Sequence, residues 1–153
     1  MNVSEPMSRP AVSVPTGTPL GQVAREMAAY GVGSVVVTEG GALRGIVTDR
    51  DLALSALARR LDPDEAVEAV MTSPVITLDA DDDVQSAYRT FRRAGVRRLP
   101  VLDGPRVVGI LTVDDLLMDV FQRLADLLGP VAWSVLEELP GPPAAGTASR
   151  AGG

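Results

Sequence analysis

Apolar and polar positions alternate along this chain with a period that changes several times, and the changes come in the same order twice. Val12 to Val14 alternate weakly, as a short strand would. Behind Thr18-Pro19, a helix-start signal with Thr as cap and Pro at the first helical position, Leu20, Val23, Met27 and Tyr30 recur at helical spacing. Gly31 predicts the stop. Ser34 to Thr38 is a β-branched run, Gly40-Gly41 turns the chain, and Leu43 to Val47 predicts a returning strand. From Asp49 the spacing is helical again, through Leu52, Ala56 and Leu57 to Arg60.

After Asp62-Pro63-Asp64 breaks that helix, Ala66 to Met71 forms a short apolar turn and the series begins afresh. Val75 to Leu78 is the short strand, and Asp81 to Asp83 cap a helix with Val84, Ala87, Tyr88, Phe91 and Ala94 on one face. Gly95 stops it. Arg98 to Leu102 and Arg106 to Leu111 are strands joined by a turn at Asp103-Gly104, and a last helix starts near Asp114 and keeps its spacing through Leu117, Phe121, Leu124 and Leu128. A shift of 64 positions lays Gly45-Ile46-Val47-Thr48-Asp49-Arg50-Asp51-Leu52 on Gly109-Ile110-Leu111-Thr112-Val113-Asp114-Asp115-Leu116. The same shift pairs Gly31-Val32 with Gly95-Val96, Val37 with Val101 and Gly40 with Gly104. The chain is a tandem repeat of a β-α-β-β-α unit, an α/β (α+β) fold. One copy leaves a sheet face bare, so two stacked small sheets with outer helices are expected.

This pattern divides the chain. Residues 1–10 are polar and proline-bearing and read as a mobile lead-in; 11–65 form the first repeat and 66–128 the second. Gly129-Pro130 should interrupt the last helix, leaving 129–139, with Val131, Trp133, Val135 and Leu136, as a separate amphipathic segment. Residues 140–153, rich in Gly, Pro, Ala and Ser, read as a disordered tail.

Composition narrows the function. Across 153 residues, 46% are hydrophobic, enough for a shared core, and the net charge of −6 argues against nucleic acid or an anionic membrane surface as partner. Any phosphate ligand must then be met by a local group of arginines. Cysteine and histidine are both absent, which removes disulfides, thiolate metal sites and the commonest general base, so no enzyme is expected. No apolar run approaches the roughly 20 residues of a membrane span. With no signal-peptide pattern at the N-terminus, a cytoplasmic location is expected.

The repeated Thr-x-x-Asp falls at a strand-to-helix corner, where free amides of the first helical turn favour an anion. A carboxylate there accepts hydrogen bonds from vicinal hydroxyls such as those of a ribose, and a Thr hydroxyl suits a phosphate oxygen. The same spacing is also a capping box, in which Thr caps the helix and the acid reaches back to the cap's own amide. The residues alone leave both readings open.

With these motifs, "GVRRLPVLD" from Gly95 to Asp103 and "VMTSPVITL" from Val70 to Leu78, the chain resembles the tandem cystathionine-β-synthase-type (CBS) domain pair, or Bateman module, over about Ser4 to Leu128. The resemblance implies a regulatory sensor without catalysis, with two clefts for adenosine-containing ligands and a dimeric assembly. It places Asp51 and Asp115 on the ribose, Thr48 and Thr112 by the phosphates, and basic side chains just before Leu99-Pro100-Val101, here Arg97 and Arg98. Strand alternation sends one of those two arginines toward the cleft. Arg50 is a further candidate beside the first motif. The implied ligand is AMP, ADP or ATP, with Mg²⁺ arriving on ATP, while S-adenosylmethionine is disfavoured by the arginines. The implied partners are a second copy of the chain and a regulated protein not identified by the sequence. The alternative is a dimerisation or protein-interaction module without a small-molecule ligand.

Overall fold

The computed structural model describes residues 1–138, of which 130–138 are described as backbone. Two compact units are distinguished, Met1–Leu117 and the residues from Met118 onward. In the first unit, β1 (Ser13–Pro15), α1 (Leu20–Tyr30), β2 (Ser34–Glu39), β3 (Ala42–Thr48) and α2 (Asp49–Asp51) follow in order, and α2 widens into a π-helical stretch over Leu52–Leu57. A 3₁₀ turn at Val67–Ala69 leads to β4 (Leu78–Asp79), α3 (Val84–Ala94), β5 (Arg98–Asp103), β6 (Arg106–Thr112) and the start of α4 (Val113–Glu138).

The strands make two three-stranded sheets, ordered β1-β2-β3 and β4-β5-β6. In each, the first pair is parallel and the second antiparallel, and the register slips at Val37/Thr38 and again at Val101/Leu102. The irregularities are themselves 64 positions apart, so the repeat extends to its bulges. Gly31 (φ 63°) and Gly95 (φ 67°) end α1 and α3 in the left-handed conformation, their amides returning to Met27 and Phe91.

Helix starts differ between the copies. Asp83 caps α3 through its carboxylate, 2.8 Å from the Gln85 amide. Thr18 does not cap α1: it is buried, and its hydroxyl donates to the Pro15 carbonyl at 2.6 Å. The exposed amides of α1 are met instead by main-chain carbonyls of the connector, with Leu20 donating to Glu65 and Gly21 to Pro63, both at 2.9 Å. Those acceptors come from a distant segment.

Each repeat has its own core. Val14, Leu20, Val23, Met27, Val35, Val37 and Val47 form one, and Leu78, Val84, Ala87, Phe91, Leu99, Val101, Leu111 and Leu116 the other, position for position along most of the 64-residue shift. Both cores are completed by a segment from outside. Val67 and Val70 enter the first core, while Val3 and Met7 enter the second, Val3 with no solvent exposure. Residues 1–10 are therefore not a mobile lead-in. Ser8 pairs with Ile110 in both directions, at 2.9 and 3.1 Å, and Thr72 pairs with Ile46 in the same way, so each segment covers the free edge of β6 or β3. The physical reason is that β3 and β6 would otherwise leave unpaired main-chain groups beside an open hydrophobic core.

Gly129-Pro130 does not interrupt α4, which runs 26 residues to Glu138. Gly129 lacks the left-handed conformation of Gly31 and Gly95, and the apolar periodicity continues after it, so nothing there redirects the chain. Along α4, Leu117, Phe121, Leu124 and Leu128 are exposed at spacings of four, three and four residues. The side chain of Trp133 and the expected disordered tail lie outside the described residues. Among the described residues, no helix is long and apolar enough to cross a membrane.

Candidate functional site

Both Thr-x-x-Asp corners close as capping boxes. In the first, Thr48 Oγ1 accepts from the Asp51 amide at 3.1 Å and Asp51 Oδ2 accepts from the Thr48 amide at 2.9 Å. In the second, Thr112 Oγ1 accepts from the Asp115 amide at 3.0 Å and Asp115 Oδ2 accepts from the Thr112 amide at 3.0 Å. Each bond satisfies an amide that the strand or helix leaves without a partner. One oxygen of each carboxylate is engaged by the box. The other, Oδ1 of Asp115, meets among the described residues only the hydroxyl of Ser8, at a long 3.5 Å. Cap and ligand contact therefore do not compete for the same atom.

Beside the second corner lies a cavity of about 210 Å³ whose wall includes Thr112, Ile110 and Ser8, the apolar Val12 and Val32, and Arg98. It adjoins a second hollow through shared residues Ser8, Pro10, Ala11, Val12 and Val32, where Arg9, Glu26 and Tyr30 form the far side. The Arg9 guanidinium donates to the Ser4 carbonyl at 2.7 Å. Both hollows belong to the unit Met1–Leu117; the wall of the first draws on both repeats and the N-terminal segment, that of the second on the first repeat and the N-terminal segment.

The two arginines part at the start of β5, Arg97 in the bend before the strand and Arg98 as its first residue. Arg98 pairs across the sheet with Thr112, is half-buried and lines the cavity. Arg97 turns to solvent and meets Asp114 at 3.6 Å, both side chains more than 70% exposed. Such a pair contributes little to stability. Arg97→Ala should therefore leave both the melting temperature and nucleotide binding unchanged, within about 0.5 kcal/mol for stability; a loss of binding in titration calorimetry would reassign that side chain. Arg50 is exposed too, its amide donating to Asp49 Oδ1 at 2.8 Å, and it does not line the cavity.

Of the sequence candidates, Thr112 and Arg98 line one cavity and Asp115 lies beside it against the wall residue Ser8, Thr48 and Asp51 stand at the equivalent corner of the other repeat, and Arg50 and Arg97 are exposed and do not line that cavity. Sequence reasoning missed Ser8, Pro10, Ala11, Val12, Val32 and Gly33 as wall residues. A signal for the first two existed: the 64-residue shift also pairs Val3 with Val67, Met7 with Met71 and Pro10 with Pro74. The acids Asp79, Asp82 and Asp83 are engaged in local turns and the α3 cap, accepting from the amides of Asp81, Asp79 and Gln85 respectively.

This geometry has relatives. The chain is 30% identical over 115 residues to the CBS domain-containing protein YhcV of Bacillus subtilis, which covers 75% of this chain and 82% of that protein. It is 38% identical over 106 residues to protein MK0525 of Methanopyrus kandleri, covering 67% of this chain and only 54% of the relative, so it spans about half of that protein's length. Among solved structures, the CBS domain protein PAE2072 of Pyrobaculum aerophilum complexed with AMP matches with a TM-score of 0.70 and 33% identity, over 76% of this chain and 90% of that one. The CBS domain pair of protein MJ0100 in complex with 5′-methylthioadenosine and S-adenosyl-L-methionine matches with a TM-score of 0.73 and 26% identity, over 80% and 98%. The CBS domain model itself matches twice, at residues 2–57 and 67–121, and with two repeats, two sheets and paired Thr-x-x-Asp corners accounted for, the chain belongs to the CBS domain family.

Proposed function

We propose that this chain is a regulatory module that binds an adenosine nucleotide in the cleft at Asp115 and reports its presence to a partner protein through a change in geometry. The observation that carries this reading is a cavity lined by Thr112 and the Arg98 side chain, with the Asp115 carboxylate just outside its wall and one oxygen, free of the capping box, turned to the wall residue Ser8. Asp115 Oδ1 suits the ribose hydroxyls, Thr112 and Arg98 suit a phosphate, and the wall of Pro10, Ala11, Val12 and Val32 offers an apolar face for a base. The adenosine ligands of PAE2072 and MJ0100 support the same class. AMP, ADP and ATP, with or without Mg²⁺, fit the guanidinium better than S-adenosylmethionine.

Among the described residues the one charged side chain of the cavity wall is Arg98, which suits an anionic ligand. Because the wall draws on both repeats, a ligand that prefers one spacing of the repeats shifts their arrangement. Assembly as a homodimer is part of the proposal, supported by the exposed apolar stripe of α4. A cytoplasmic setting, where nucleotides abound, fits the ligand. Asp51 and Thr48 form a second cleft in this reading, weaker for phosphates because Gly33 and Ser34 stand at the positions of Arg97 and Arg98.

The alternative, a purely structural module, has one specific observation in its favour: all four residues of the two corners already satisfy one another. A thermal-shift panel of adenosine, AMP, ADP, ATP and S-adenosylmethionine separates the two. A nucleotide at a hundredfold excess over its Kd should add about 2.7 kcal/mol of stability to the wild type. Asp115→Asn, which keeps a cap acceptor, should abolish that gain and leave the unliganded melting temperature within a degree or two. If no adenosine compound raises the melting temperature and both aspartates act only on stability, by about 1 kcal/mol each as Ala variants, the corners are caps alone.

A further inference from the structure

The cleft at Asp115 has an asymmetry that the repeat does not explain. Gly33 lines it, and a Cβ built on Gly33 would stand 2.9 Å from Arg98 Nη2 and 3.2 Å from Asp49 Oδ2. The missing side chain is thus the space into which the Arg98 guanidinium reaches, with the Asp49 carboxylate on the far side of the same gap. At the equivalent positions of the other copy stand Arg97 for Gly33, Ser34 for Arg98 and Val113 for Asp49, so this arrangement occurs once.

Arg98 and Asp49 do not form an ion pair, and among the described residues the Arg98 guanidinium has no hydrogen-bonded or ionic partner. A half-buried guanidinium without a partner, in a wall that otherwise carries no charge, offers its donors to one anionic group. Asp49, on the far side of the gap, is a negative charge. Its other oxygen, Oδ1, accepts from the Arg50 amide at 2.8 Å, which fixes the carboxylate beside Gly33. A phosphate bound at Thr112 and Arg98 is neutralised locally, whereas a second or third phosphate extending past Arg98 is driven toward a like charge. Arg9 lines the adjoining hollow together with Glu26, and its guanidinium is already engaged by the Ser4 carbonyl.

We infer that Gly33, Arg98 and Asp49 make the Asp115 cleft selective for a nucleoside monophosphate, Arg98 binding the single phosphate, Gly33 giving it room to do so and Asp49 repelling longer phosphate chains. The inference rests on the nucleotide reading of the cleft given above. Arg98 touches the ligand; Gly33 and Asp49 act through position and charge.

The test is calorimetric titration of the full chain with adenosine, AMP, ADP and ATP in Mg²⁺-free buffer, using wild type, Asp49→Asn, Arg98→Ala and Gly33→Ala, all in an Asp51→Ala background so that one cleft reports. AMP should bind at least about tenfold more tightly than ATP, and Asp49→Asn should cut that ratio severalfold by strengthening ATP. Arg98→Ala should erase the advantage of AMP over adenosine. Gly33→Ala should do the same in part, lowering AMP affinity more than adenosine affinity, whereas a general loosening of the fold would lower both alike. Wild-type binding of ATP as tight as AMP, or an AMP/ATP ratio that Asp49→Asn does not move, overturns the selectivity while leaving the nucleotide reading intact. Failure of all four compounds, adenosine included, overturns both. Asp49 is exposed and its Asn variant isosteric, so the decisive comparison uses a folded protein.

Discussion

Removal of Met1–Ser8 should cost the protein about as much stability as a small domain possesses. The segment buries Val3 completely and Met7 almost so, inside the core formed by Leu78, Val84, Phe91, Leu99 and Leu111. Losing two such side chains costs about 4–6 kcal/mol, before counting the main-chain bonds of Ser8 to Ile110 and of Val3 to Asp82. Typical stabilities are about 5–15 kcal/mol. The truncated chain is therefore expected to be largely unfolded or insoluble, with no cooperative melting transition. Val3→Asp makes the same test at full length, because a carboxylate placed at a position without solvent exposure is left without a partner. A truncated protein that melts cooperatively at the wild-type temperature would show that the segment is an ornament on the second repeat and not part of its core.

Substitution of Gly109 is the second large effect, and it tests the same packing from the other side. A Cβ at Gly109 would stand 2.6 Å from Met7 Sδ and 2.7 Å from the Ser8 carbonyl oxygen. The sulfur belongs to a flexible side chain and moves, but the carbonyl belongs to a backbone held by two hydrogen bonds to Ile110. Gly109→Ala should destabilise by about 1–3 kcal/mol, and a β-branched residue by more. Each kcal/mol lowers the melting temperature by roughly 2–4 °C at this size. Met7→Ala in the same chain should recover only the part due to the sulfur, so a double-mutant cycle separates the two contacts. At Gly45, where the corresponding distances are 2.6 Å to Met71 Sδ and 3.0 Å to the Thr72 carbonyl, the effect should be smaller. Equal melting temperatures for wild type and Gly109→Ala would mean that the head segment yields freely.

These glycines open the G-h-h-T-x-x-D motifs, so part of what reads as a ligand motif is a packing requirement. The glycine makes room for the head segment, and Thr with Asp closes the helix cap. The ligand reading rests on what is left over: one oxygen of Asp115, the Thr112 hydroxyl proton and the Arg98 side chain. Separating these contributions needed distances. Spacing alone is the same for a cap and for a binding site, because both use a carboxylate and a hydroxyl at the first turn of a helix.

The repeat, its elements and their order were determined by the chain's own periodicity, because helix and strand periods and glycine stops are local properties. Residue by residue, local signals also placed Asp83 as a cap and Gly95 as a stop. Four matters were decided only by the tertiary structure. Val3 and Met7 read as part of a polar lead-in, since a short segment that adds to another element's edge carries no periodicity of its own. Thr18 lost the cap of α1 to carbonyls of Glu65 and Pro63, which are remote in sequence. Gly129-Pro130 is a stop signal by composition, but the helix continues through it because the flanking apolar pattern does. Finally, neighbouring arginines are equivalent in a string of letters; the structure starts β5 between them, so that Arg98, paired with Thr112, lines the cleft while Arg97, in the bend before the strand, meets Asp114. A strand's faces are assigned by what lies on either side of it, and that is a property of the folded chain.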